Sequence, residues 1–275
     1  MGRAYLSLPS RVYSRRSASV KRRHDFFSGP YPMRILLVAD IHANWAALRS
    51  VAAEPHDICL CLGDLVEYGV EPEPCVAWVR EHARYCVRGN HDHGAAQNVA
   101  IGSRSGYRYL TAVTRVLTRQ QLPEDALRYL ARLPVTRMVT VGEMRFLLVH
   151  ASPRDPLDEY APADADYWAR HVEHIEADVI CVGHTHQPYV LQVGNKLVIN
   201  PGSVGQPRDG DPRASCAIIE GHTVDFKRVE YPIEETVTAV QAAALPDIAK
   251  EYLVEVLRTG NTPSAYSGSR NGSDV

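Results

Sequence analysis

Five short apolar segments of this chain each end in side chains that can bind a metal ion. The polar residues that follow them are Asp40-Ile41-His42, Gly63-Asp64, Gly89-Asn90-His91-Asp92, His150 and Gly183-His184-Thr185-His186. Short apolar runs bounded by turn residues are typical of buried strands. Ligand-binding groups of open α/β sheets collect beyond the carboxyl ends of the strands. We therefore predict a sheet edge at which these side chains meet.

The apolar and amphipathic segments predict ten strands and seven helices. The predicted strands are 34–39, 57–62, 84–88, 136–141, 144–149, 178–182, 188–193, 196–199, 215–220 and 223–230. The predicted helices are 44–53, 73–83, 107–118, 123–132, 164–175, 233–243 and 246–257. Strands alternate with helices early in the chain, which predicts parallel pairing, whereas later strands follow one another and predict antiparallel pairing. The pattern therefore indicates an α/β fold with a mixed sheet.

The two ends of the chain differ in composition from the middle. Residues 1–32 hold seven Lys or Arg and one acidic residue. This composition predicts a disordered leader or a start assigned too far upstream, because Met33 opens an apolar strand; a transit-like peptide is the alternative. Residues 33–258 are predicted to form the folded domain, and residues 259–275, rich in Gly, Ser and Asn, a disordered tail.

Composition excludes several classes of protein. No apolar run approaches the ~18 residues of a membrane helix, so we expect no membrane partner. The net charge of −2 argues against general nucleic-acid binding. The six cysteines form no Cys-x-x-Cys pair, which predicts buried free thiols, a reducing compartment and hence a cytoplasmic protein. The sequence leaves the oligomeric state open.

The candidate metal ligands are too numerous for one transition metal ion. They are Asp40, His42, Asp64, Asn90, His150, His184 and His186. Two pairs among them are two residues apart, so each pair faces one side of an extended backbone. Seven ligands suit two ions ~3.5–4 Å apart, the separation used in metal-assisted hydrolysis of phosphate esters. Mixed nitrogen and oxygen ligands favour Mn, Fe, Zn or Ni over Mg.

In this order the five motifs resemble those of the calcineurin-like metallophosphoesterase superfamily, over roughly residues 33–230. Segments 39–48, 63–72 and 200–214 are similar to small bacterial phosphodiesterase-like members of that superfamily. The resemblance implies a four-layer α/β/β/α sandwich of two mixed β-sheets flanked by helices. It also implies two divalent transition metal ions as cofactors, with manganese the first expectation and Fe, Zn or Ni the others.

The resemblance further implies a role for each motif residue. The first ion is expected on Asp40, His42 and His186, the second on Asn90, His150 and His184, and Asp64 is expected to bridge both. A metal-bound hydroxide is expected to attack phosphorus. His91 and Asp92 are the expected catalytic residues, with His91 stabilising the transition state or protonating the leaving oxygen and Asp92 orienting its imidazole.

The implied reaction is hydrolysis of small phosphate diesters or nucleotides. A phosphomonoesterase or a protein Ser/Thr phosphatase is the alternative, although the Asp-Arg-Gly of the protein phosphatases reads Glu67-Tyr68-Gly69 here. A non-catalytic interaction module is a third hypothesis. Asn44, Tyr68 and Arg208 are candidate substrate contacts; their alternatives are a helix N-cap, a packed ring and a solvated arginine. Helices within 93–135 either pack on the sandwich or partly cap the site.

Overall fold

The computed structural model of the protein describes residues 33–103 and 105–262. Its strands are β1 (Arg34–Val38), β2 (Ile58–Cys61), β3 (Ala83–Cys86), β4 (Thr136–Val141), β5 (Met144–Val149), β6 (Val179–Cys181), β7 (Pro188–Val193), β8 (Lys196–Pro201), β9 (Ala214–Glu220) and β10 (Thr223–Val229). Its helices are α1 (Trp45–Val51), α2 (Pro72–His82), α3 (Asn90–Gln97), α4 (Gly106–Gln121), α5 (Glu124–Arg132), α6 (Ala165–Val172), α7 (Ile233–Ala242) and α8 (Asp247–Thr259). The predicted leader and most of the predicted tail lie outside the described residues.

The strands form two mixed sheets of five strands each. The first has the order β10-β9-β1-β2-β3, in which β1, β2 and β3 are parallel and β9 is antiparallel to both of its neighbours. The second has the order β4-β5-β6-β8-β7, with a parallel centre and antiparallel edge strands. The ten predicted strands and the two mixed sheets are thus confirmed.

Alternating side chains of the central strands bury both faces of each sheet. In β1, Ile35 and Leu37 pack between the two sheets, whereas Leu36 and Val38 pack against the helices that cover the first sheet. In the second sheet, strands such as β5 also contribute to the core between the sheets and, from the other face, to the core under α6. The resulting order of helices, sheet, sheet and helix is the predicted four-layer sandwich.

The helices within 93–135 pack against two different parts of the molecule. Helix α5 packs on the sandwich core through Ala126 and Leu130. Helix α4 packs with α7 and α8 in a separate apolar cluster that includes Tyr68 and Leu110. This second cluster, called the helical wall below, consists of α4, α7, α8 and Tyr68. Helix α3 was not predicted, because its sequence of polar residues and Gly94 has no apolar helical period.

The remaining expectations concern cysteines and membranes. All six cysteines are buried and unpaired, as predicted. Among the helices of the described residues, none is long and apolar enough to span a lipid bilayer.

Candidate metal centre

The predicted ligands meet at one edge, where parallel strands of both sheets end. Asp40 and Asp64 follow β1 and β2 of the first sheet, while His150 and His184 follow β5 and β6 of the second. Hydrogen bonds cross between the sheets here: the His150 Nδ1 lies 2.8 Å from the Leu62 carbonyl, and the His184 amide donates to the Asp40 carboxylate. All seven candidate ligands are buried except Asn90, which is half-buried.

Asp40, His42 and His186 form the first cluster. The Nε2 atoms of His42 and His186 lie 3.1 Å apart, and His186 Nε2 is 3.5 Å from Asp40 Oδ1. One potential ligand atom from each residue falls within 4.8 Å of the others. This geometry places three donors around a space that one ion could occupy.

Asp64, His150 and His184 form the second cluster, with Asn90 beside it. The Nε2 of His150 lies 3.2 Å from Asp64 Oδ2, 3.2 Å from His184 Nδ1 and 3.1 Å from Asn90 Oδ1. Asp64 Oδ2 is also 3.8 Å from the Nε2 of His42 in the first cluster. A carboxylate between two histidine clusters can be shared by two ions, as the sequence predicts for Asp64.

The protonation pattern of the histidines fits bound cations. The Nδ1 atoms of His42, His150 and His186 face the carbonyl oxygens of Val66, Leu62 and Gln206, at 3.2, 2.8 and 2.5 Å. These carbonyls require a proton on Nδ1, which leaves the Nε2 lone pair directed into the clusters. Two such lone pairs 3.1 Å apart repel each other unless a proton or a metal ion lies between them. The residues present therefore fit a dinuclear metal centre.

Two buried polar atoms support the same conclusion. Among the described residues, His184 Nε2 has no hydrogen-bond partner, and Asp64 Oδ2 has only the ion-pair contact with His150 Nε2 at 3.2 Å, without hydrogen-bond geometry. Buried polar atoms are almost always hydrogen-bonded, so unsatisfied atoms of this kind are typical of ligand-binding or catalytic sites. Nitrogen and oxygen donors together are the ligand set of first-row transition metals.

The electrostatics around Asp64 favour a positive charge on His150. Burial raises the pKa of Asp40 to about 7. Burial alone would also raise the pKa of Asp64, but the His150 and His91 imidazoles lower it well below its usual range. Burial alone would lower the pKa of His150, whereas the Asp64 carboxylate raises it to about 10. The buried Asp64 carboxylate thus stabilises a positive charge on the group next to it.

His91 is oriented by Glu67 and not by Asp92, so that part of the prediction is wrong. The His91 Nδ1–H donates to Glu67 Oε2 at 2.6 Å, and Arg115 donates to both oxygens of the same carboxylate, at 2.5 and 3.1 Å. The Nε2 of His91 faces the clusters, 3.9 Å from Asp64 Oδ2. Burial alone would lower the pKa of His91, but the Asp64 and Glu67 carboxylates raise it above its usual value.

Asp92 instead supports the loop that holds Asp64. Its carboxylate accepts hydrogen bonds from the backbone amides of Asp64, Leu65 and Gly89, at 2.9, 2.8 and 3.0 Å. A side chain at residue 89 could not fit, because its Cβ would lie 2.0 Å from Asp64 Oδ1. The third motif therefore contributes both His91 at the site and the Asp92 carboxylate, which holds the loop of the candidate ligand Asp64 in place.

Left-handed backbone is concentrated around the two clusters. Nine non-glycine residues in the described part of the chain have positive φ, and eight of them border the site. The eight are Asp40, His42, Ala43, Asp64, Glu67, Tyr68, His184 and His186. Such conformations cost of order 1–3 kcal/mol each and persist only where surrounding structure enforces them. The sheets therefore hold these ligands in positions that short peptides would not adopt.

The three candidate substrate contacts have different surroundings. Asn44 accepts from the Ala47 amide as the N-cap of α1 and donates to Gly205 O and Tyr231 Oη, so its side chain is committed to the scaffold. The buried Tyr68 ring lies 4.7 and 4.6 Å from the rings of His42 and His91. It is both packed and adjacent to the ligands.

Arg208 lies beside the metal-ligand clusters without an acidic partner. It donates to Gln206 Oε1 and lies over the Tyr107 ring, at 4.0 Å from the centroid. Its Nε is buried and unpartnered, and no carboxylate of residues 33–103 and 105–262 forms an ion pair with it. The same positive charge lowers the pKa of His42 and His186, both of which burial already depresses. An unpaired guanidinium at this position can bind an anion.

Sequence reasoning missed Arg115 and Tyr160. Arg115 is a buried arginine of α4 that pairs with Glu67, 48 positions earlier in the chain. Tyr160 lies in the loop before α6 with its ring 4.2 Å from that of His184. The only available signal for Arg115 was an arginine among the buried positions of an amphipathic helix. No sequence signal pointed to Tyr160.

Comparison with known proteins identifies relatives with the same fold. Residues 33–223 match the family model described as the calcineurin-like phosphoesterase superfamily domain. An uncharacterized protein of Methanocaldococcus jannaschii is 30% identical in an alignment of 243 positions, which covers 80% of this chain and 96% of that relative.

Two crystal structures are also similar to the chain. A metallophosphoesterase from Sphaerobacter thermophilus is 36% identical, with a TM-score of 0.68 over 83% of this chain and 99% of that one. A protein of Pyrococcus horikoshii has a TM-score of 0.73 at 19% identity, over 84% of this chain and 99% of that one. The second likeness concerns the fold alone.

Proposed function

The chain belongs to the calcineurin-like phosphoesterase superfamily, and from this premise we propose that it hydrolyses small phosphate diesters or nucleotides. The observation on which the proposal rests is the meeting of two ligand clusters at Asp64, beside the unpaired Arg208. Metal-dependent phosphoesterase chemistry follows from the family and these clusters. The preference for diesters is our proposal.

We assign the ligands as the sequence predicted. Asp40, His42 and His186 would hold one ion; Asn90, His150 and His184 would hold the other; Asp64 would contact both. Two divalent ions, when bound, neutralise the phosphoryl oxygens and lower the pKa of a water molecule. Mixed imidazole and carboxylate ligands suit manganese, our proposed native ion, and also Fe, Zn or Ni.

The chain's own residues position the substrate and move the proton. Arg208 would bind a non-bridging phosphoryl oxygen through its unpartnered Nε–H. His91 would donate the proton on Nε2 to the leaving oxygen, while Glu67 accepts from Nδ1–H and stabilises the imidazolium. Arg115 fixes the Glu67 carboxylate with two hydrogen bonds and so sets the direction of the imidazole.

The charge at the site supports a diester. Near neutral pH a phosphate diester has one negative charge, whereas a monoester has between one and two. Besides the two ions, Arg208 adds one positive charge that no carboxylate of the described residues pairs with, while Arg115 forms an ion pair with Glu67. The six unpaired cysteines support a reducing compartment such as the cytoplasm.

Metal reconstitution tests this function. Metal-stripped protein receives Mn²⁺, Ni²⁺, Zn²⁺ or Mg²⁺, and hydrolysis of bis(p-nitrophenyl) phosphate and p-nitrophenyl phosphate is followed in parallel, with D64N as the control. We expect faster diester hydrolysis with a transition metal. A preference for the monoester would make the protein a phosphomonoesterase. No hydrolysis of either ester, with two ions bound per chain, would instead favour a non-catalytic role.

A further inference from the structure

Tyr160 presents an exposed aromatic ring directly beside a candidate metal ligand. Its ring centroid lies 4.2 Å from that of His184, tilted by 45°. The residue is 55% exposed, and it is the only aromatic among the seven large hydrophobic residues that are exposed in the described part of the chain. A ring buried for stability would not leave so much of its surface in solvent at this position.

The loop that presents Tyr160 is held firmly. The carboxylate of Glu159, the preceding residue, accepts hydrogen bonds from Ser152, from Arg154 and, at 2.5 Å, from the Tyr167 hydroxyl. The loop backbone is closed by a hydrogen bond from the Ala161 amide to the Glu159 carbonyl. The exposed ring is therefore fixed in place before any ligand arrives, which reduces the entropy cost of binding.

Arg208 connects this ring to the phosphate-binding side of the site. Its guanidinium lies over the ring of Tyr107 and near that of Tyr68, at 4.0 and 5.7 Å from their centroids, and interacts electrostatically with the Tyr160 side chain. The Nε of Arg208 remains without a partner. A cationic group for a phosphate and an open aromatic face thus lie next to each other at the metal-ligand clusters.

We propose that Tyr160 stacks on a planar ring of the substrate while Arg208 binds its phosphate, so that the site selects phosphate esters of nucleosides. The inference rests on the proposed phosphoesterase function and adds the class of substrate to it. Stacking on an aromatic side chain accepts every base, because each base has a π face. The site is therefore expected to discriminate between nucleotides and ring-free phosphate esters, and only weakly among the bases.

Two ligands that differ only in the base provide the test. Adenosine 5′-monophosphate and ribose 5-phosphate share the sugar and the phosphate. We would measure their Kd values by isothermal titration calorimetry on the Mn²⁺-loaded full chain. Wild-type protein should bind the nucleotide about tenfold more tightly. If chromatography shows that either ligand is hydrolysed, the ratio of kcat/KM values replaces the ratio of Kd values.

Variants of Tyr160, compared with a surface control, measure how much the aromatic ring contributes to the nucleotide preference. In Y160L the preference should fall close to one, because the leucine keeps apolar bulk without a π face, whereas Y160F should keep most of it. I248S, an exposed residue of α8, should leave the preference unchanged. Equal affinity for the two ligands in wild-type protein, a preference that survives in Y160L, or no binding of either ligand would overturn the inference.

The two proposals can fail separately. Hydrolysis of the p-nitrophenyl diester without a nucleotide preference would reject the stacking proposal and support the phosphodiesterase proposal. A nucleotide preference that depends on Tyr160, in a metal-loaded protein that hydrolyses neither p-nitrophenyl ester, would remove the catalytic proposal and leave a nucleotide-binding site.

Discussion

The metal-ligand clusters and the surface that faces the substrate are built in opposite ways. The cluster residues Asp40, Asp64 and His150 follow strands of the two sheets and are almost completely buried. Tyr160 and Arg208 instead lie on loops and remain partly accessible to solvent. The sandwich thus fixes the candidate metal ligands, whereas loops and the helical wall supply the proposed substrate contacts.

The two regions also differ in how their positions are enforced. Ligands such as Asp40 and His184 adopt left-handed backbone next to regular strands, and hydrogen bonds between the sheets connect them. Tyr160 depends on the few side-chain hydrogen bonds that Glu159 accepts. Substitutions at the clusters should therefore lower the metal content, while substitutions on the loops should change affinity for the substrate and leave the metals in place.

The largest effect is expected from D64N, which alters the residue shared by the two metal-ligand clusters. The amide has no negative charge to share between two ions, so metal content should fall to one ion per chain or less. Activity should fall by about 10³-fold or more. Elemental analysis of the purified variant measures the metal directly, and D125N, an exposed residue of α5, is the matched control. Two ions per chain in D64N would contradict the assignment of Asp64 as the shared ligand.

H91A should separate catalysis from metal binding within the same region. Loss of the proton donor should lower kcat by about 10²–10⁴-fold, with metal content near that of wild-type protein. H93A changes the next histidine of α3 and should keep its activity. If H91A loses metal as D64N does, His91 is a ligand and its role is misassigned.

E67Q and D92N test which carboxylate serves His91. Glu67 touches the imidazole and Asp92 touches three backbone amides. E67Q should therefore lower kcat about 10–100-fold at nearly constant KM, and it should also lower Tm, because the buried Arg115 loses its counter-charge. D92N should chiefly lower Tm, because an amide cannot accept from three N–H donors as a carboxylate does. The reverse pattern would restore the prediction made from the sequence.

R208M tests the proposed phosphate contact on the substrate-facing side of the site. Removing the unpaired guanidinium should raise KM for the diester about tenfold, with a smaller change in kcat and no loss of metal. R213M removes an exposed arginine that pairs with Asp211 and serves as the control. An unchanged KM in R208M would exclude Arg208 from binding the phosphate.

The smallest effect is expected from E159Q, which loosens the Tyr160 loop without removing the ring. Nucleotide affinity should fall about two- to fivefold. Burial alone would raise the pKa of Glu159, but hydrogen bonds from Ser152, Tyr167 and Arg154 lower it. The stability that the ionised Glu159 gives to the Tyr160 loop is therefore fully present above the usual glutamate pKa. It is lost as the pH falls through the lowered pKa of Glu159. Calorimetry measures the affinity, E176Q is the exposed control, and wild-type affinity in E159Q would show that this anchor is unnecessary.

Sequence prediction succeeded where the signal is local. Each candidate ligand follows an apolar strand within a few residues, and parallel strands bring their carboxyl ends together. Prediction failed at α3, because a segment of polar residues with Gly94 lacks the apolar periodicity that indicates a helix. Gly94 makes room there for the Arg115 guanidinium, which would have to shift because a Cβ at residue 94 would lie 2.0 Å from its Nη2. It also failed at Asp92, because adjacency to His91 in the chain does not place their side chains in contact.

By itself, the sequence determined the α/β fold, the strands and the candidate ligands of a two-ion site, because strand periodicity and strand-end residues are properties of short segments. Only the tertiary structure decided that Glu67 and Arg115 orient His91, and that Tyr160 lies with Arg208 beside His184. Arg115 is 48 residues from Glu67, and Arg208 is 48 residues from Tyr160. Their contacts depend on how a helix and two loops pack against the sheet edge, which the spacing of residues does not encode.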